Sequence, residues 1–335
     1  MTKQSTSGYQ LSLQDLEGLS NYLTVTGKLR AEEKLSRISI AGEGNMNVVV
    51  RVNTTDRSFI LKQSRSYVQK YPTVEAPINR INVEAEFYSL LGNNGVWQKS
   101  SPKVLWFDEE NRILCLEDLG SSSDFSNIYK KDTDLVKSEI SELASLISEL
   151  HSAGIESEPI ENTAMRELNH AHMYVLPLQE NNGFDLNSVL PGLQEKTEKF
   201  RADGKLKRCA KKLGDIYLEK KGRTLLHGDF YPGSWLKTAD GIKLIDPEFS
   251  FHGRPEFELG VAIAHLKLAQ QSNSIMKDLF VYYHFNKKFD GSLFTKFAGM
   301  EIIRRLIGLA QLPLELDLQE RLDLLDEAYD LVVYG

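Results

Sequence analysis

The segment LLHGDFYPGSWLKTADGIKLIDPEF, residues 225–249, constrains the fold of this chain more than any other. An apolar run at 224–226 leads into the triplet HGD at 227–229, and a second run at 242–245 leads into DPE at 246–248. Apolar, β-type runs bounded by turn residues are typical of short strands. We expect the turn after the first triplet, at Asp240-Gly241, to hold the two strands close together, so that their polar ends converge.

The carboxylates of this segment have the chemistry that phosphoryl transfer requires. One carboxylate must orient the attacking hydroxyl and accept its proton, and others must hold Mg²⁺, which prefers oxygen ligands. Aspartate and glycine are also common in ordinary turns, so HGD alone says little. Here Ser234 follows Asp229 by 5 residues and Asp246 follows it by 17, with a β-type run before each triplet. This combination favours a kinase-type catalytic segment.

The chain before residue 120 is rich in β-type runs. Its predicted elements are a polar-faced helix within 8–36, strands at 48–52 and 58–63 joined by a hairpin turn, a helix at 79–91, and strands at 104–107 and 112–116. The strands are predicted from β-type runs bounded by turn residues, and the helix at 79–91 from its helical period.

The chain after residue 120 is mostly helical. A linker at Gly120 and the serines at 121–123 precedes an amphipathic helix at 136–150 that ends near Gly154, and a further helix is predicted at 297–312. A β-rich part followed by a helix-rich part predicts an α+β protein with two lobes. We place the domains at 1–119, for nucleotide binding, and at 120–335, for catalysis and acceptor binding.

The predicted nucleotide-binding features lie in the first part. The turn GEGNMN at 42–47 precedes a strand, and its glycines would let backbone N–H groups approach phosphates. Lys62 lies in the apolar strand run at 58–63, where a lysine needs a partner such as a phosphate or a carboxylate. Both Glu84 and Glu86 lie on the helix at 79–91 and are candidates for that partner.

These motifs resemble the methylthioribose kinase family, within the aminoglycoside phosphotransferase and choline kinase superfamily. HGDFYPGS and IDPEFSFHG match that family's HGD-x-x-x-GS and IDPEFxFxG, and GEGNMN is similar to its glycine-rich loop. The resemblance spans roughly residues 36–330. It implies a two-lobed protein-kinase-like fold, with a β-rich N-lobe and a mainly helical C-lobe, and the use of ATP and Mg²⁺.

The resemblance also implies a role for each matching residue. Asp229 would be the catalytic base, and Glu84 would be the glutamate that pairs with Lys62. The implied metal ligands are Ser234, Asp246 and Glu248. The implied nucleotide-binding residues are Gly42, Gly44, Asn45, Asn47 and Lys62 in the loop and strand, and Glu117 and Leu119 in the hinge between the lobes.

The acceptor side is less similar to the family. The paired arginines Arg304 and Arg305, in GMEIIRRLIGLAQ, match a pair that binds the sugar in methylthioribose kinases. Tyr231 stands where the family has histidine, Glu258 stands where it has aspartate, and the chain is shorter between about 268 and 297. We therefore expect a hydroxyl of a sugar-like acceptor, with methylthioribose as the leading candidate.

Composition and charge limit the other readings. The net charge of −7 and the absence of a basic stripe argue against nucleic acid as a partner. The polar N-terminus and the lack of a long apolar run predict a cytoplasmic protein without a membrane span. Cys115 and Cys209 are read as reduced structural residues, and the sequence leaves a homodimer open.

Two alternative functions stay open at this point. One is a kinase for an aminoglycoside, a choline-like amino alcohol or another sugar, and acidic residues in the acceptor pocket would favour a cationic substrate. The other is a catalytically inactive nucleotide-binding regulator. The presence of Lys62, Asp229, Asp246 and Glu248 disfavours the second alternative.

Overall fold

The structure is a computed structural model that describes residues 8–42, 46–91, 95–153 and 158–335. Gly44 and Asn45 of the predicted glycine-rich loop lie outside the described residues. The chain divides into two compact units. The first unit contains the chain up to Ser122 together with Lys243–Glu248, and the second contains Ser123–Ile242 together with Phe249–Gly335. The second triplet, DPE, therefore belongs to the first unit.

The first unit is built on a five-stranded sheet. Its elements in chain order are α1 (Leu16–Val25), β1 (Leu35–Ile40), β2 (Val48–Thr54), β3 (Ser58–Gln63), β4 (Tyr67–Val68), β5 (Tyr71–Glu75), α2 (Arg80–Leu91), α3 (Trp97–Ser100), β6 (Val104–Asp108) and β7 (Ile113–Glu117). The sheet order is β1-β2-β3-β7-β6, and every neighbouring pair is antiparallel. The predicted hairpin of β2 and β3 and the predicted pair β6 and β7 are confirmed.

The two faces of β3 carry different chemistry because successive side chains point to opposite faces of a strand. Leu61 is fully buried in an apolar cluster with Val50 and Cys115, against Leu19 and Leu23 of α1. Its neighbour along the strand, the buried lysine, therefore points to the face away from this cluster. The sheet thus places this lysine on the face that α1 does not cover.

The prediction of a helix within 8–36 is only partly right. Helix α1 begins after Asp15, whose side chain accepts a hydrogen bond from the N–H of Gly18 at 2.8 Å, and Gly27 just beyond the helix has a φ of 68°. Before α1 the chain is extended, and the side chains of Asn111 and Gln63 accept hydrogen bonds from the backbone there. Strand β1 already begins at residue 35.

The second unit is mainly helical. Its elements in chain order are β8 (Ser123–Asp124), α4 (Lys137–Ser152), α5 (Thr163–His170), α6 (Leu193–Ala202), α7 (Gly204–Leu218), β9 (Thr224–Leu226), β10 (Trp235–Thr238), β11 (Gly241–Leu244), β12 (Phe251–Gly253), α8 (Pro255–Leu268), α9 (Asn273–Tyr282), α10 (Gly291–Ile307) and α11 (Leu318–Val333). Helix α10 packs against both α8 and α11, and nearly every residue of α8 is buried. Strand β11 carries the chain from this unit into the first at Lys243.

The strands around the catalytic segment pair differently from our prediction. Strand β9 pairs with β12 and β10 pairs with β8, so the turn at 239–240 connects β10 to β11 and does not join the two predicted strands directly. Strands β10 and β12 are only 4 and 3 residues long, too short to show a period in the sequence.

Helix α10 begins six residues before the predicted start at 297 and ends at Ile307, before the predicted end at 312. Asp290 caps its start by accepting hydrogen bonds from the N–H groups of Ser292 and Leu293, both at 3.0 Å. Gly308 is extended and ends the helix. Among the described residues, no helix combines the length and the apolar character needed to cross a membrane.

Candidate active site

The lysine on β3 lies in a fully formed ion-pair arrangement of the first unit. Its Nζ donates to both carboxylate oxygens of Glu84, at 2.7 and 2.8 Å, and also to Oδ1 of Asp246. Glu84 is completely buried, whereas Glu86 is exposed on the other side of α2. The structure therefore pairs Lys62 with Glu84 and not with Glu86.

Glu248 is the third carboxylate of the same region. Asn47 donates to its Oε2 at 2.8 Å, and the Nε of Arg80 lies 3.3 Å from the same oxygen. Arg80 is itself buried and donates to backbone carbonyls of Arg65, Pro77 and Met46. We call the following residues the lysine cluster: Lys62, Arg80, Glu84, Asp246 and Glu248.

Carboxyl groups outnumber cations in the lysine cluster, where three carboxyl groups face two cations. Burial alone would lower the pKa of Lys62, but the surrounding carboxylates, Asp246 first among them, raise it above its ordinary value. Burial raises the pKa of Glu248 to about 7, with a further contribution from its carboxylate neighbours and opposition from the two cations. A further cation beside these carboxylates would relieve the excess charge.

The backbone at Asp246 is unusual, with a φ of 63° in the left-handed region. Aspartate and asparagine are the non-glycine residues that tolerate this conformation best. Its side chain is 48% exposed, although one oxygen is bound to the lysine. The described residues contain no group of three or more His, Cys, Asp or Glu that would hold a metal alone. The donor set fits Mg²⁺, which commonly takes one or two carboxylates together with substrate phosphates.

The other predicted nucleotide residues of the first unit lie apart from these contacts. Gly42 is exposed, two residues after β1. Glu117 ends β7, and its N–H donates to the carbonyl of Lys103 at 2.9 Å. Leu119 is half-buried in the segment after β7, which Arg51 holds through Asp118 and through the carbonyl of Gly120.

Asp229 follows β9 in a loop of the second unit that is held by its backbone. Gly228 has a φ of 83°, and a Cβ there would lie 2.0 Å from the carbonyl oxygen of Phe249, so only glycine fits. The N–H of Gly228 donates to Oε1 of Glu258 at 2.7 Å, and Glu258 Oε2 lies 2.8 Å from His151 Nε2. The glutamate on α8 thus fixes the peptide between residues 227 and 228, one peptide before that of Asp229.

Ser234 closes the same loop. Its hydroxyl is buried and donates to the backbone carbonyl of Asp229 at 2.8 Å, which leaves the oxygen lone pairs to act as acceptors. The ring of Tyr231 lies between two partners, with its centroid 5.3 Å from that of His265 and 5.3 Å from the guanidinium carbon of Arg305. Ser234 and Tyr231 therefore both lie in the loop that presents Asp229.

The paired arginines of α10 meet a buried carboxylate, Glu301, on their own helix. Arg305 Nε donates to Glu301 Oε1 at 2.5 Å, and Arg304 Nη1 donates to Oε2 at 3.1 Å. Arg305 Nη2 lies 3.9 Å from Asp229 Oδ1. We call the following residues the arginine cluster: Asp229, Glu301, Arg304 and Arg305.

A neutral histidine supports the arginine cluster. His265 Nε2 lies 3.1 Å from Glu301 Oε1, and its Nδ1 lies 2.6 Å from the hydroxyl of Tyr129. Burial lowers the pKa of His265 to about 4, against the opposing effect of Glu301, so the ring is neutral at pH 7. Nε2 then carries the proton for Glu301, and Nδ1 accepts from Tyr129.

Charge is balanced in the arginine cluster, where two cations face two carboxylates. Burial raises the pKa of Asp229, whereas the positive charges of Arg305 and Arg304 act in the opposite direction. Glu301 is completely buried, and its pKa lies well below the usual range because the two arginines and His265 outweigh the effect of burial. Both carboxylates of this cluster are therefore already matched by protein cations.

The structure thus gathers the predicted site residues into two groups, one in each unit, and leaves Gly42, Glu117 and Leu119 apart from both. Sequence reasoning missed Arg80, Glu301 and His265. A signal for Glu301 was present, because a glutamate three and four residues before two arginines lies on the same helix face as both. For Arg80 the only local signal was its position four residues before Glu84 on the same helix. No sequence signal pointed to His265, which lies 36 residues before Glu301 along the chain.

The comparisons with known proteins agree with this chemistry. Residues 37–289, well over half of the chain, match the APH phosphotransferase enzyme family. The chain belongs to this phosphotransferase enzyme family. The prediction that it is a small-molecule kinase, with an alcohol group as acceptor, is confirmed at this level.

Its relatives include methylthioribose kinases from Bacillus cereus, 26% identical over 315 residues, and from Exiguobacterium sibiricum, 26% identical over 311 residues. These matches cover 80% of this chain and 78% and 79% of the relatives.

Solved structures confirm the predicted fold class. The choline kinase LicA from Streptococcus pneumoniae has a TM-score of 0.53 with 15% identity, covering 93% of this chain and 97% of that chain. A spectinomycin phosphotransferase solved with ADP and spectinomycin has a TM-score of 0.56 with 11% identity, covering 97% and 99%. The chain therefore has the α+β, protein-kinase-like fold, with a β-rich N-terminal part and a helical C-terminal part.

Proposed function

We propose that this phosphotransferase moves the γ-phosphate of ATP onto a hydroxyl of a neutral, sugar-like acceptor, with methylthioribose as the leading candidate. The observation that carries the acceptor class is the balanced charge of the arginine cluster. Glu301 already binds two arginines and a histidine, and Asp229 lies close to Arg305. Neither carboxylate is therefore available to bind a cationic amine. The names of the curated relatives support the same acceptor.

The chemical step assigns Asp229 as the base. Its carboxylate accepts the proton of the acceptor hydroxyl as that oxygen bonds to the γ-phosphorus, and the bond from the γ-phosphorus to the bridging oxygen breaks to release ADP. The loop fits this role because Gly228, Glu258 and Ser234 fix the backbone on both sides of the aspartate. A fixed base orients the hydroxyl and so contributes through positioning as well as proton transfer.

The nucleotide is assigned to the first unit. Lys62, held by Glu84, is the cation for the phosphates, and Gly42, Gly44, Asn45 and Asn47 are assigned to phosphate binding from their motif. Asp246 and Glu248, with Ser234 as the third predicted ligand, would hold Mg²⁺, which neutralises phosphate charge when it is bound. The excess negative charge of the lysine cluster supports this assignment. Glu117 and Leu119 are assigned to the adenine.

A panel of acceptors tests the proposal. Purified protein is incubated with ATP and Mg²⁺ and with methylthioribose, ribose, choline or kanamycin, and ADP release is followed, with ³¹P NMR of the product to identify the phosphorylated hydroxyl. We expect turnover with methylthioribose at its anomeric hydroxyl and little with either amine. Turnover with choline or kanamycin alone would overturn the acceptor class, and nucleotide binding without turnover of any acceptor would favour an inactive regulator.

A further inference from the structure

The two neighbouring arginines of α10 have very different surroundings. The guanidinium of Arg305 contacts four protein groups: Glu301 at 2.5 Å, the carbonyl of Ala310 at 3.4 Å, Asp229 at 3.9 Å and the ring of Tyr231. Its side chain is 8% exposed. Protein groups therefore account for the contacts of Arg305, and one of those groups is the proposed base.

Arg304 is held at one point and keeps unused hydrogen-bonding capacity. Its Nη1 donates to Glu301 at 3.1 Å, but its Nε is buried and has no hydrogen-bond partner among the residues that the structure describes. A buried donor without a partner is costly, and a ligand oxygen would satisfy it. Among the described residues, Arg304 thus keeps a buried donor without a partner, whereas Arg305 has no such buried, unpaired donor.

A tyrosine on a turn that packs against α10 also has a buried polar atom without a hydrogen-bond partner among the described residues. Tyr174 lies in a π-helical turn at 171–175 that packs against α10, and such turns are frequent at functional sites. Its hydroxyl is buried, has no hydrogen-bond partner in the described part of the chain, and is acted on by the charges of Arg304 and Glu301. A hydroxyl that can donate and accept therefore lies in the neighbourhood of the unused arginine donor.

Glu301 produces the difference between the arginines. Adjacent helix positions point about 100° apart, and a carboxylate three and four residues earlier reaches both side chains. Each oxygen takes a different arginine, and the proton of His265 fixes the oxygen that binds Arg305. Without this carboxylate, both guanidinium groups would be free to compete for Asp229.

We propose that Glu301 is a positioning residue that gives the two arginines separate roles. Arg305 is directed to the base Asp229, and Arg304, together with the hydroxyl of Tyr174, receives an acceptor hydroxyl that does not react. This proposal rests on the proposed function and refines it, because the two arginines were first assigned to the acceptor together. It adds Tyr174 as a residue that determines acceptor specificity.

Steady-state kinetics separate the two roles. Arg304→Lys and Tyr174→Phe should each raise the KM for methylthioribose about tenfold or more with a smaller change in kcat, because binding contacts are lost. Arg305→Lys should lower kcat by at least about tenfold with little change in that KM, because the base loses its partner. Glu301→Gln should show both effects. Equal patterns for the two arginine variants would overturn the division of roles.

The control for the loss of a carboxylate is Glu327→Gln. Glu327 is partly exposed on α11, where it pairs with Lys267 at 2.6 Å, and we expect unchanged kinetics in this variant. If Glu301→Gln does not fold, Tyr129→Phe provides a milder change, because it removes only the hydroxyl that orients His265. That variant should lower kcat in the same direction as Arg305→Lys. An unchanged kcat in a folded Tyr129→Phe would contradict the supporting role of this chain of contacts.

A readout without turnover separates this proposal from the proposed function. In protein labelled with ¹⁵N-arginine, Arg304→Lys and Arg305→Lys assign the two Nε–H signals. Glu301→Gln should shift the Arg305 signal, and Tyr129→Phe replaces this variant if it does not fold. Addition of methylthioribose with ADP should shift the Arg304 signal and leave the Arg305 signal unchanged. An Arg305 signal insensitive to these variants would overturn the proposal even if turnover is confirmed. If the shifts appear as expected but no acceptor is turned over, the proposed reaction is wrong and the positioning role of Glu301 is still supported.

Discussion

The lysine cluster and the arginine cluster are built alike and charged differently. Each is anchored by one completely buried glutamate on a helix, Glu84 in the first unit and Glu301 in the second. Glu84 binds a single lysine, and two further carboxylates share the cations around it, so acid is in excess. Glu301 binds two arginines and leaves no carboxylate unmatched.

The difference shows how charge balance selects a ligand. A cluster with excess acid is suited to a divalent cation and the phosphates that accompany it, whereas a balanced cluster has nothing to offer a charged group. Burial strengthens both effects, because charges are screened less inside a protein than at its surface. The same principle supports our proposal that Mg²⁺ with ATP binds at the first cluster and a neutral acceptor at the second.

The largest expected effect on activity is at Asp229. A change there tests the arginine cluster alone, because it leaves the lysine cluster intact. Asp229→Asn should lower kcat by about 10²–10⁴-fold, because an amide does not accept the proton, while nucleotide affinity stays unchanged. Steady-state kinetics measure kcat, and calorimetric titration with an ATP analogue measures nucleotide affinity. Asp240→Asn, in an exposed turn, is the matched control. If Asp229→Asn retains most of the activity, the assignment of the catalytic base to this loop is wrong.

The next effect is on stability in the lysine cluster. Lys62→Met should lower the free energy of unfolding by about 3–5 kcal/mol, because Glu84 is left buried without its cation. Glu84→Gln added to this variant should restore part of the loss while ATP affinity stays weak. Chemical denaturation and ATP titration of the single and double variants test this. A double variant as unstable as the single one would show that the buried charge is not the cause.

A smaller effect is expected at the predicted metal ligand. Asp246→Asn should shift the Mg²⁺ concentration needed for half-maximal activity upward by roughly tenfold, because a neutral amide is a poorer ligand for a hard cation. Asparagine keeps the left-handed backbone at this position, so the change reports on charge rather than on strain. An identical Mg²⁺ titration curve in this variant would place the metal elsewhere.

The smallest effect lies outside both clusters, at Glu33 in the first unit. Burial opposes its ionisation, but hydrogen bonds from Arg57, Thr54 and the backbone of Arg30 lower the pKa of Glu33 to about 2 from an ordinary 4.5. The stability from this group is complete above pH 4.5 and is lost as the pH falls toward 2. Glu33→Gln should lower the free energy of unfolding by about 1–3 kcal/mol at pH 7.

Denaturation at several pH values measures that contribution. The gap between wild type and Glu33→Gln should narrow as the pH falls below 4.5. Glu75→Gln, on the exposed strand β5, should show no such gap. A gap that stays constant down to pH 3 would mean that the carboxylate contributes through packing and not through its charge.

The sequence predicted the elements that have a long or regular pattern. Strands β2, β3, β6 and β7 contain apolar, β-type runs separated by turn residues, and the need of a buried lysine for a partner led to Glu84 as one of two candidates. Strands β10 and β12 were missed because they are short and pair with distant segments. The helix predicted at 8–36 was overextended because the segment before α1 is held through its backbone by the side chains of Gln63 and Asn111, and backbone contacts of this kind leave no pattern in the sequence.

The arginine cluster was only half predictable for a related reason. Arg304 and Arg305 stood out as an adjacent pair, but a pair alone does not show that one is enclosed and the other is not. That difference depends on His265 and Tyr129, which lie on other elements and are brought in by the packing of α8 against α10. Tertiary packing, which carries no local pattern, therefore decides what each arginine contacts.

The central claim is that the acceptor is neutral, and the ratio of two specificity constants tests it most directly. The values of kcat/KM for methylthioribose and for choline are measured with the same protein, ATP and Mg²⁺. The balanced arginine cluster predicts a preference for methylthioribose of about 100-fold or more, since an unpaired cation in such a site is poorly tolerated. A ratio near one, or a preference for choline, would contradict the account.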